Sequence, residues 1–211
     1  MKRVYEYSHL GGAEILQVRH PEIEADIHAV IDGIRGDLRT KRSKEKTKPG
    51  KMLYSPVLIN KLFRDGLNAR GFVEKRSPFS VELPRYPVKI KNAFKQIDFV
   101  KDGVLVEVQF GKYAFMFYDM AKFQYFYNDE GAEVGVEIVP CRNLQREMSS
   151  GVSYGEQLIG DIVRLRRHFP AVPVKVILVD VDEAEPLKPT DDHISEEETL
   201  ASETPEISDE E

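Results

Sequence analysis

The sequence predicts an α/β fold in which helices flank a mixed central β-sheet. Two observations support this prediction. In residues 97–179, short segments rich in β-branched residues alternate with longer segments of helical periodicity, an order typical of sheets that contain parallel strands. The last short segment, residues 172–179, is almost continuously apolar, as expected for a strand buried on both faces. A chain of 211 residues is long enough to enclose such a sheet in one hydrophobic core.

The first predicted helix is followed by a strongly basic loop. Pro21 opens an apolar pattern with spacings of three and four that runs to Leu38, which is typical of an amphipathic helix with proline in its first turn. Residues 39–51 then contain seven bases, one acid and no apolar residue. A segment of this composition has nothing to bury, so we expect a solvated loop.

A second helix and an irregular region follow the loop. Ser55 and Pro56 are suited to the N-cap and the first helical position, and the helix that they start is expected to end near Gly71. Residues 72–92 hold three prolines. Because proline cannot donate a backbone hydrogen bond, this region is expected to be irregular or an edge strand.

The second half of the chain contains most of the predicted sheet. The predicted strands are residues 97–100, 104–110, 133–139 and 172–179, and the predicted helices are residues 113–127 and 153–168. Residues 113–127 carry eight aromatic side chains. At helical spacing these are expected to form core and dimer contacts rather than a surface that stacks on bases.

The charge of the chain divides it into two parts. Residues 182–211 hold thirteen acids and one base, a formal charge of −12, so residues 1–181 carry +6 of the total of −6. We therefore expect a folded basic domain over residues 1–181, which could face a polyanion, and an acidic disordered tail over residues 182–211. The tail could screen the basic surface or simply keep the protein soluble.

Composition also excludes several classes of protein. One cysteine, Cys141, can form neither an internal disulfide nor a zinc cluster, and it is expected to be buried. No apolar run approaches the length of a membrane span, and residues 1–9 lack the apolar core of a signal peptide. The expectation is an intracellular, cytoplasmic protein without a membrane partner.

A predicted β-hairpin brings two carboxylates together. Asp102-Gly103 is a strong signal for a two-residue turn, and with that loop Asp98 lies opposite Glu107 on one face, beside Gln109. Opposed carboxylates repel each other at about 5 Å, and a divalent cation such as Mg²⁺ would offset the repulsion. Two alternatives remain at this point. The carboxylates could lie on a solvated face, or a three-residue loop could move Glu107 off the face of Asp98.

The segment around these acids resembles the active-site segment of a known family. Asp98, eight intervening residues and then residues 107–113 are similar to type II restriction endonucleases of the BglII/BstYI family, members of the PD-(D/E)xK nuclease superfamily. Similar segments follow the same order over most of residues 1–180, and the resemblance is closest to BstYI. These further segments are residues 7–10, 43–48, 53–57, 134–138, 147–154 and 170–173.

The resemblance implies a restriction-endonuclease-like core and a role for each matching residue. Asp98 and Glu107 would bind Mg²⁺ together with the carbonyl oxygen of Val108. Gln109 stands where most of the superfamily has lysine. This subfamily is similar to the present chain in having glutamine at that position. Glutamine has no charge, so it could only position the attacking water, and the metal ion must carry more of the catalysis. Glu74 is a weak candidate for a further acidic ligand.

The resemblance also implies DNA contacts. Lys112 would donate to a guanine edge in the major groove, although a phosphate contact would suit a lysine equally well. Ser150 matches another recognition residue of the family. The bases of the loop could hold the duplex, although such a run is often only solvated; they are Lys41, Arg42, Lys44, Lys46 and Lys48.

These implications combine into one expected function. The chain would be a homodimeric endonuclease of a prokaryotic cell, with a two-fold axis that matches a DNA palindrome. It would cleave double-stranded DNA at a site with a GATC core, expected to be purine-GATC-pyrimidine, and leave 5′-phosphate ends. The alternatives are a DNA-binding protein of the same fold without cleavage activity, and a nuclease that recognises damaged or branched DNA.

Overall fold

The computed structural model describes residues 1–181. The acidic segment 182–211, together with the prediction that it is a disordered tail, lies outside the described residues. In chain order the elements are β1 (Lys2–His9), α1 (Gly12–Arg19), α2 (Pro21–Gly33), β2 (Lys41–Arg42), β3 (Met52–Leu53), α3 (Pro56–Asn68), β4 (Val73–Glu82), β5 (Lys89–Lys101), β6 (Val104–Val108), α4 (Tyr113–Asp129), β7 (Val134–Pro140), α5 (Arg142–Arg146), α6 (Gly155–Leu165) and β8 (Val174–Asp180). Within residues 1–181, no helix is long and apolar enough to cross a membrane.

Six strands form one mixed sheet, in the order β1-β8-β7-β6-β5-β4. The neighbours β6 and β7 are parallel, as are β7 and β8, and the other pairs are antiparallel. Every residue of β6, β7 and β8 is buried. The predicted α/β class, the mixed sheet and the fully buried last strand are therefore confirmed.

Helices cover both faces of the sheet. On one face α2 contacts β8, where Lys175 Nζ lies 2.6 Å from Glu24 Oε1. On the other face α4 and α6 pack close to the strands at two glycines. A Cβ on Gly135 would come within 2.6 Å of the Phe123 ring, and one on Gly155 would meet the side chains of β7 and β8. The absence of a side chain at these two positions is what brings α4 and α6 against the sheet.

The N-terminal region differs from the prediction. No strand or helix was predicted before Pro21, but β1 forms an edge of the sheet by antiparallel pairing with β8. The sequence of β1 shows no clear alternation of apolar and polar residues, because most residues of this edge strand are exposed. Helix α1 follows at Gly11-Gly12, where Gly11 has a φ of 81°.

Helix α2 is shorter than its apolar pattern suggested. It ends at Gly33, and Gly36 adopts a φ of 100°, which takes the chain out of the helical conformation. Ile34 and Leu38 are nevertheless buried. The apolar spacing thus continued past the helix because the following extended chain also packs on the core.

The predictions for the middle of the chain hold with small changes. The Ser55 side chain accepts a hydrogen bond from the backbone N–H of Leu58 at the start of α3. Residues 73–82 form an edge strand, β4, in which Pro78 is tolerated opposite Phe94. The basic loop is confirmed apart from the short β2–β3 ladder.

Candidate active site

The β5–β6 hairpin has the predicted register. Phe99 pairs with Val106, and Lys101 pairs with Val104, so Asp102 and Gly103 form a two-residue turn. Both turn residues have positive φ, 45° and 80°, as a type I′ turn requires. The next pair in this register is Asp98 with Glu107.

Asp98 and Glu107 are close to each other in the structure. The backbone N–H of Asp98 donates to Glu107 Oε1 at 3.3 Å, and the Asp98 charge acts on the Glu107 carboxyl. The alternative of a solvated face is wrong for Glu107, which is only 3% exposed. Burial, followed by the charge of Asp119, raises the pKa of Glu107 to about 8, although Lys122 opposes the rise.

Helix α4 supplies two charged side chains that the sequence analysis did not assign to the site. Lys122 Nζ lies 2.5 Å from Glu107 Oε1 and 2.8 Å from Asp119 Oδ1. Gln109 Nε2 donates to the other Asp119 oxygen, Oδ2, at 3.1 Å. Burial lowers the pKa of Lys122, but Glu107 and Asp119 raise it by more, so it lies above the usual lysine value. The site therefore contains a cation next to the neutral Gln109.

Strand β7 adds a further acid, Glu137. It lies beside Glu107 in the parallel β6–β7 register and is completely buried, and neither of its carboxylate oxygens has a hydrogen-bond partner. Burial, together with the charges of Asp119 and Glu107, raises the pKa of Glu137 well above the usual value for glutamate. The burial of Glu137 therefore favours the neutral, protonated form of its carboxyl group.

The sequence contained weak signals for these residues. Glu137 is the only acid in the otherwise apolar strand β7, and Asp119 and Lys122 lie three residues apart in an aromatic helix.

Glu74, the weak candidate for a further acidic ligand, lies on the edge strand β4. It is half-exposed and accepts a hydrogen bond from Gln96 at 2.8 Å.

A second group of potential ligands lies on the opposite face of the sheet. Ligand atoms of Glu6, Glu24 and His28 lie within 4.8 Å of one another. Lys175 is buried among them, with its ammonium 2.6 Å from both Glu6 and Glu24. Because the Lys175 ammonium contacts both carboxylates, the contacts of this cluster are those of an ion network.

The comparisons identify the family. The family model described as "Restriction endonuclease BglII/BglIII" matches residues 4–179. The chain belongs to the BglII family of restriction endonucleases. Enzymes of this family cleave DNA, and restriction endonucleases of this family generally use a divalent metal ion.

Two solved structures share the fold. The crystal structure of restriction endonuclease BglII complexed with a DNA 16-mer aligns with a TM-score of 0.66 and 22% identity, and the match covers 86% of this chain and 78% of that one. The structure of free BglII aligns with a TM-score of 0.62 and 19% identity, over 86% of this chain and 81% of that one. No curated protein matched the chain. Closeness to BstYI thus stays a prediction.

In this member of the BglII family, hydrogen bonds join the segments that contain the predicted DNA-contacting residues. Lys41 Nζ donates to Ser149 Oγ at 2.5 Å, which joins the basic loop to the segment that contains Ser150. The backbone N–H of Ser153 donates to Gly111 O at 2.8 Å, next to Lys112. Lys48 is partly buried and donates to the carbonyl oxygens of Arg146 and Met148. The other predicted contact residues are exposed; they are Lys41, Arg42, Lys44, Lys46, Lys112 and Ser150.

Proposed function

We propose that this chain is a type II restriction endonuclease that cleaves double-stranded DNA at a palindrome with a GATC core, purine-GATC-pyrimidine, and leaves 5′-phosphate ends. The observation that carries the proposal is the hairpin in which the Phe99–Val106 pair is followed by Asp98 and Glu107, with the Asp98 N–H 3.3 Å from the Glu107 carboxylate. Gln109 lies two residues further on. The preference for GATC is supported by the resemblance of the recognition segments to the BglII/BstYI family.

The proposed cofactor is Mg²⁺, held by the carboxylates of Asp98 and Glu107 and the carbonyl oxygen of Val108. The fit is supported by the state of Glu107, whose pKa is raised to about 8 in the absence of a metal. Carboxylates crowded in a buried site need additional positive charge to be ionised together, and Mg²⁺ prefers carboxylate oxygens. When bound, Mg²⁺ would activate water and neutralise charge on the phosphate.

The residues of the chain itself would bind the DNA and place the water. Gln109 has no charge, so its contribution is a hydrogen bond that orients the attacking water. Lys112 and the exposed bases of residues 39–51 would hold the duplex, through a base edge or through phosphates. The charge of +6 over residues 1–181 supports association with a polyanion.

A homodimer is part of the proposal, because two copies related by a two-fold axis match a palindrome and cut one strand each. Helix α4 supports this assembly. Its core side is buried, as predicted for the aromatic helix, but Phe115 and Tyr118 are 54% and 44% exposed. Large exposed aromatic side chains on one helix are suited to an interface between copies.

The test separates DNA binding from cleavage. Glu107→Ala should abolish cleavage of phage DNA in Mg²⁺ because a carboxylate ligand is lost. The variant should still bind the cognate duplex in gel-shift titrations in Ca²⁺, because Lys112 and the basic loop are unchanged. Glu82→Ala, at an acid that is 67% exposed on β4, is the matched control and should cleave like the wild type.

Each outcome of this test has a definite meaning. Discrete fragments whose ends carry the GATC core would support the proposal. A wild-type chain that binds but never cleaves is a DNA-binding protein, and cleavage only at branched or damaged DNA indicates a structure-specific nuclease. Wild-type-like cleavage by the Glu107 variant would refute the assigned site.

A further inference from the structure

Behind the motif residues lies a buried ion pair on helix α4, formed by Asp119 and Lys122. Their side chains are only 3% and 13% exposed, and Lys122 Nζ lies 2.8 Å from Asp119 Oδ1. Neither side chain has a role in the function proposed above. Each one, however, contacts a motif residue, because Lys122 binds Glu107 and Asp119 accepts from Gln109.

The contact with Asp119 restricts the amide of Gln109. A glutamine amide can turn by 180° and present either an acceptor oxygen or a donor nitrogen in the same direction. A carboxylate paired with an ammonium can only accept, so it selects the orientation in which Nε2 points at it. The Gln109 Oε1 then lies on the other side, next to Gly111, where an added Cβ would be only 2.5 Å away. Gly111 thus leaves the space that this oxygen occupies.

We propose that Asp119 is a positioning residue that acts through Gln109. With its charge held by Lys122, Asp119 fixes the amide so that the oxygen, an acceptor, is presented to the attacking water. The inference rests on the proposed function, in which Gln109 orients that water. An acceptor can hold one water proton and leave a lone pair directed at the phosphorus, whereas an amide NH₂ in the same place would donate to that lone pair. Because Gln109 is uncharged, the fixed orientation of its amide takes over part of the role that lysine has at this position in most of the superfamily.

The deciding variant is Asp119→Asn, which keeps the shape of the side chain but allows it to donate as well as accept. The amide of Gln109 is then free to turn, and we expect the rate of single-turnover cleavage at saturating Mg²⁺ to fall by roughly 10- to 100-fold, as for other residues that orient a catalytic group. Affinity for the cognate duplex in Ca²⁺, measured by gel shift, should be unchanged. A role limited to folding would instead reduce the fraction of active, DNA-binding protein.

A double-mutant cycle shows whether Asp119 acts through Gln109. In a Gln109→Ala background the amide is absent, so Asp119→Asn should have no further effect on the cleavage rate. Glu82→Gln, at the exposed acid on β4, is the matched control and should cleave like the wild type. If Asp119→Asn alone does not fold, the charge-balanced variant Asp119→Asn/Lys122→Met is compared with Lys122→Met, because both variants lack the Lys122 contact with Glu107.

Several results would overturn the inference. The inference fails if Asp119→Asn cleaves at the wild-type rate. It also fails if Asp119→Asn lowers the cleavage rate by the same factor in the wild type and in the Gln109→Ala background. If wild type cleaves, Glu107→Ala does not, and Asp119→Asn is unaffected, this inference fails while the proposed function stands. A wild-type chain that cleaves no DNA refutes the proposed function and this inference with it.

Discussion

Glu137→Gln should stabilise the metal-free protein increasingly as the pH rises. Glu137 is fully buried in β7, and neither of its oxygens has a hydrogen-bond partner. Burial and the neighbouring acids raise its pKa well above the usual value, so the folded protein keeps the proton that the unfolded chain releases. Glutamine has nearly the same shape and carries no proton that must be kept.

The size of the effect follows from the linkage between protonation and folding. Below the unfolded pKa of about 4.3, both states hold the proton and Glu137 imposes no pH dependence. Above that pH only the folded state holds it, so wild-type stability falls by up to about 1.4 kcal/mol per pH unit until the folded pKa is reached. The free energy of unfolding of Glu137→Gln does not fall in this way, because glutamine has no proton that must be kept. Between pH 5 and pH 7 the free energy of unfolding of the variant should rise relative to wild type by up to about 2–3 kcal/mol.

The assay is urea unfolding of wild type and variant in EDTA at pH 5, 6 and 7. Any fixed cost of burying the glutamine NH₂ changes the difference in free energy of unfolding between variant and wild type equally at all three pH values. The test is therefore the slope of that difference with pH. Glu82→Gln, at the exposed acid on β4, should show no slope. A difference between Glu137→Gln and wild type that does not change with pH would mean that Glu137 is ionised in the fold, and the reasoning about its burial would be wrong.

Three further substitutions test other parts of the molecule. Lys112→Ala should weaken binding of the cognate duplex by about 1–3 kcal/mol if Lys112 contacts a guanine edge; an equal loss for cognate and scrambled duplexes in gel shifts would show a phosphate contact instead. Gly12→Ala should lower the melting temperature because its Cβ would lie 2.3 Å from the backbone of Val174, and such overpacking costs about 1–3 kcal/mol. An unchanged melting temperature would show that α1 can move off β8. Lys175→Met should cost about 3–5 kcal/mol in urea unfolding because it leaves two carboxylates without their buried cation; a neutral result would mean that those acids are readily solvated.

The hairpin could be predicted from sequence because its geometry is local. Asp102-Gly103 fixes the loop length, and the loop length fixes which residues lie opposite each other, so the neighbourhood of Asp98 and Glu107 followed from a few residues. The same holds for the start of α3 at Ser55-Pro56, where a cap and a proline act within one turn.

The rest of the site depends on contacts that no local rule determines. Glu137 reaches Glu107 only because β6 and β7 pair in parallel after the α4 crossover, and a shift of one residue in that register would place it on the opposite face. Asp119 and Lys122 face the sheet because the missing side chain of Gly135 lets Phe123, and with it α4, approach closely. The edge strand β1 was missed since its apolar alternation is weak where solvent covers one side.

The hydrogen bond from the Ser153 N–H to the Gly111 carbonyl has a consequence for engineering. The acids of the active site all lie within residues 98–137. The segment that contains Ser150 meets this stretch at that backbone bond, and the basic loop meets the Ser150 segment through side chains such as Lys41, which donates to Ser149. The exposed side chains of Arg42, Lys44, Lys46 and Ser150 can therefore be exchanged without rebuilding the active site. Under the proposed function, libraries restricted to those exposed positions are the natural starting point for altering which DNA sequence the protein selects.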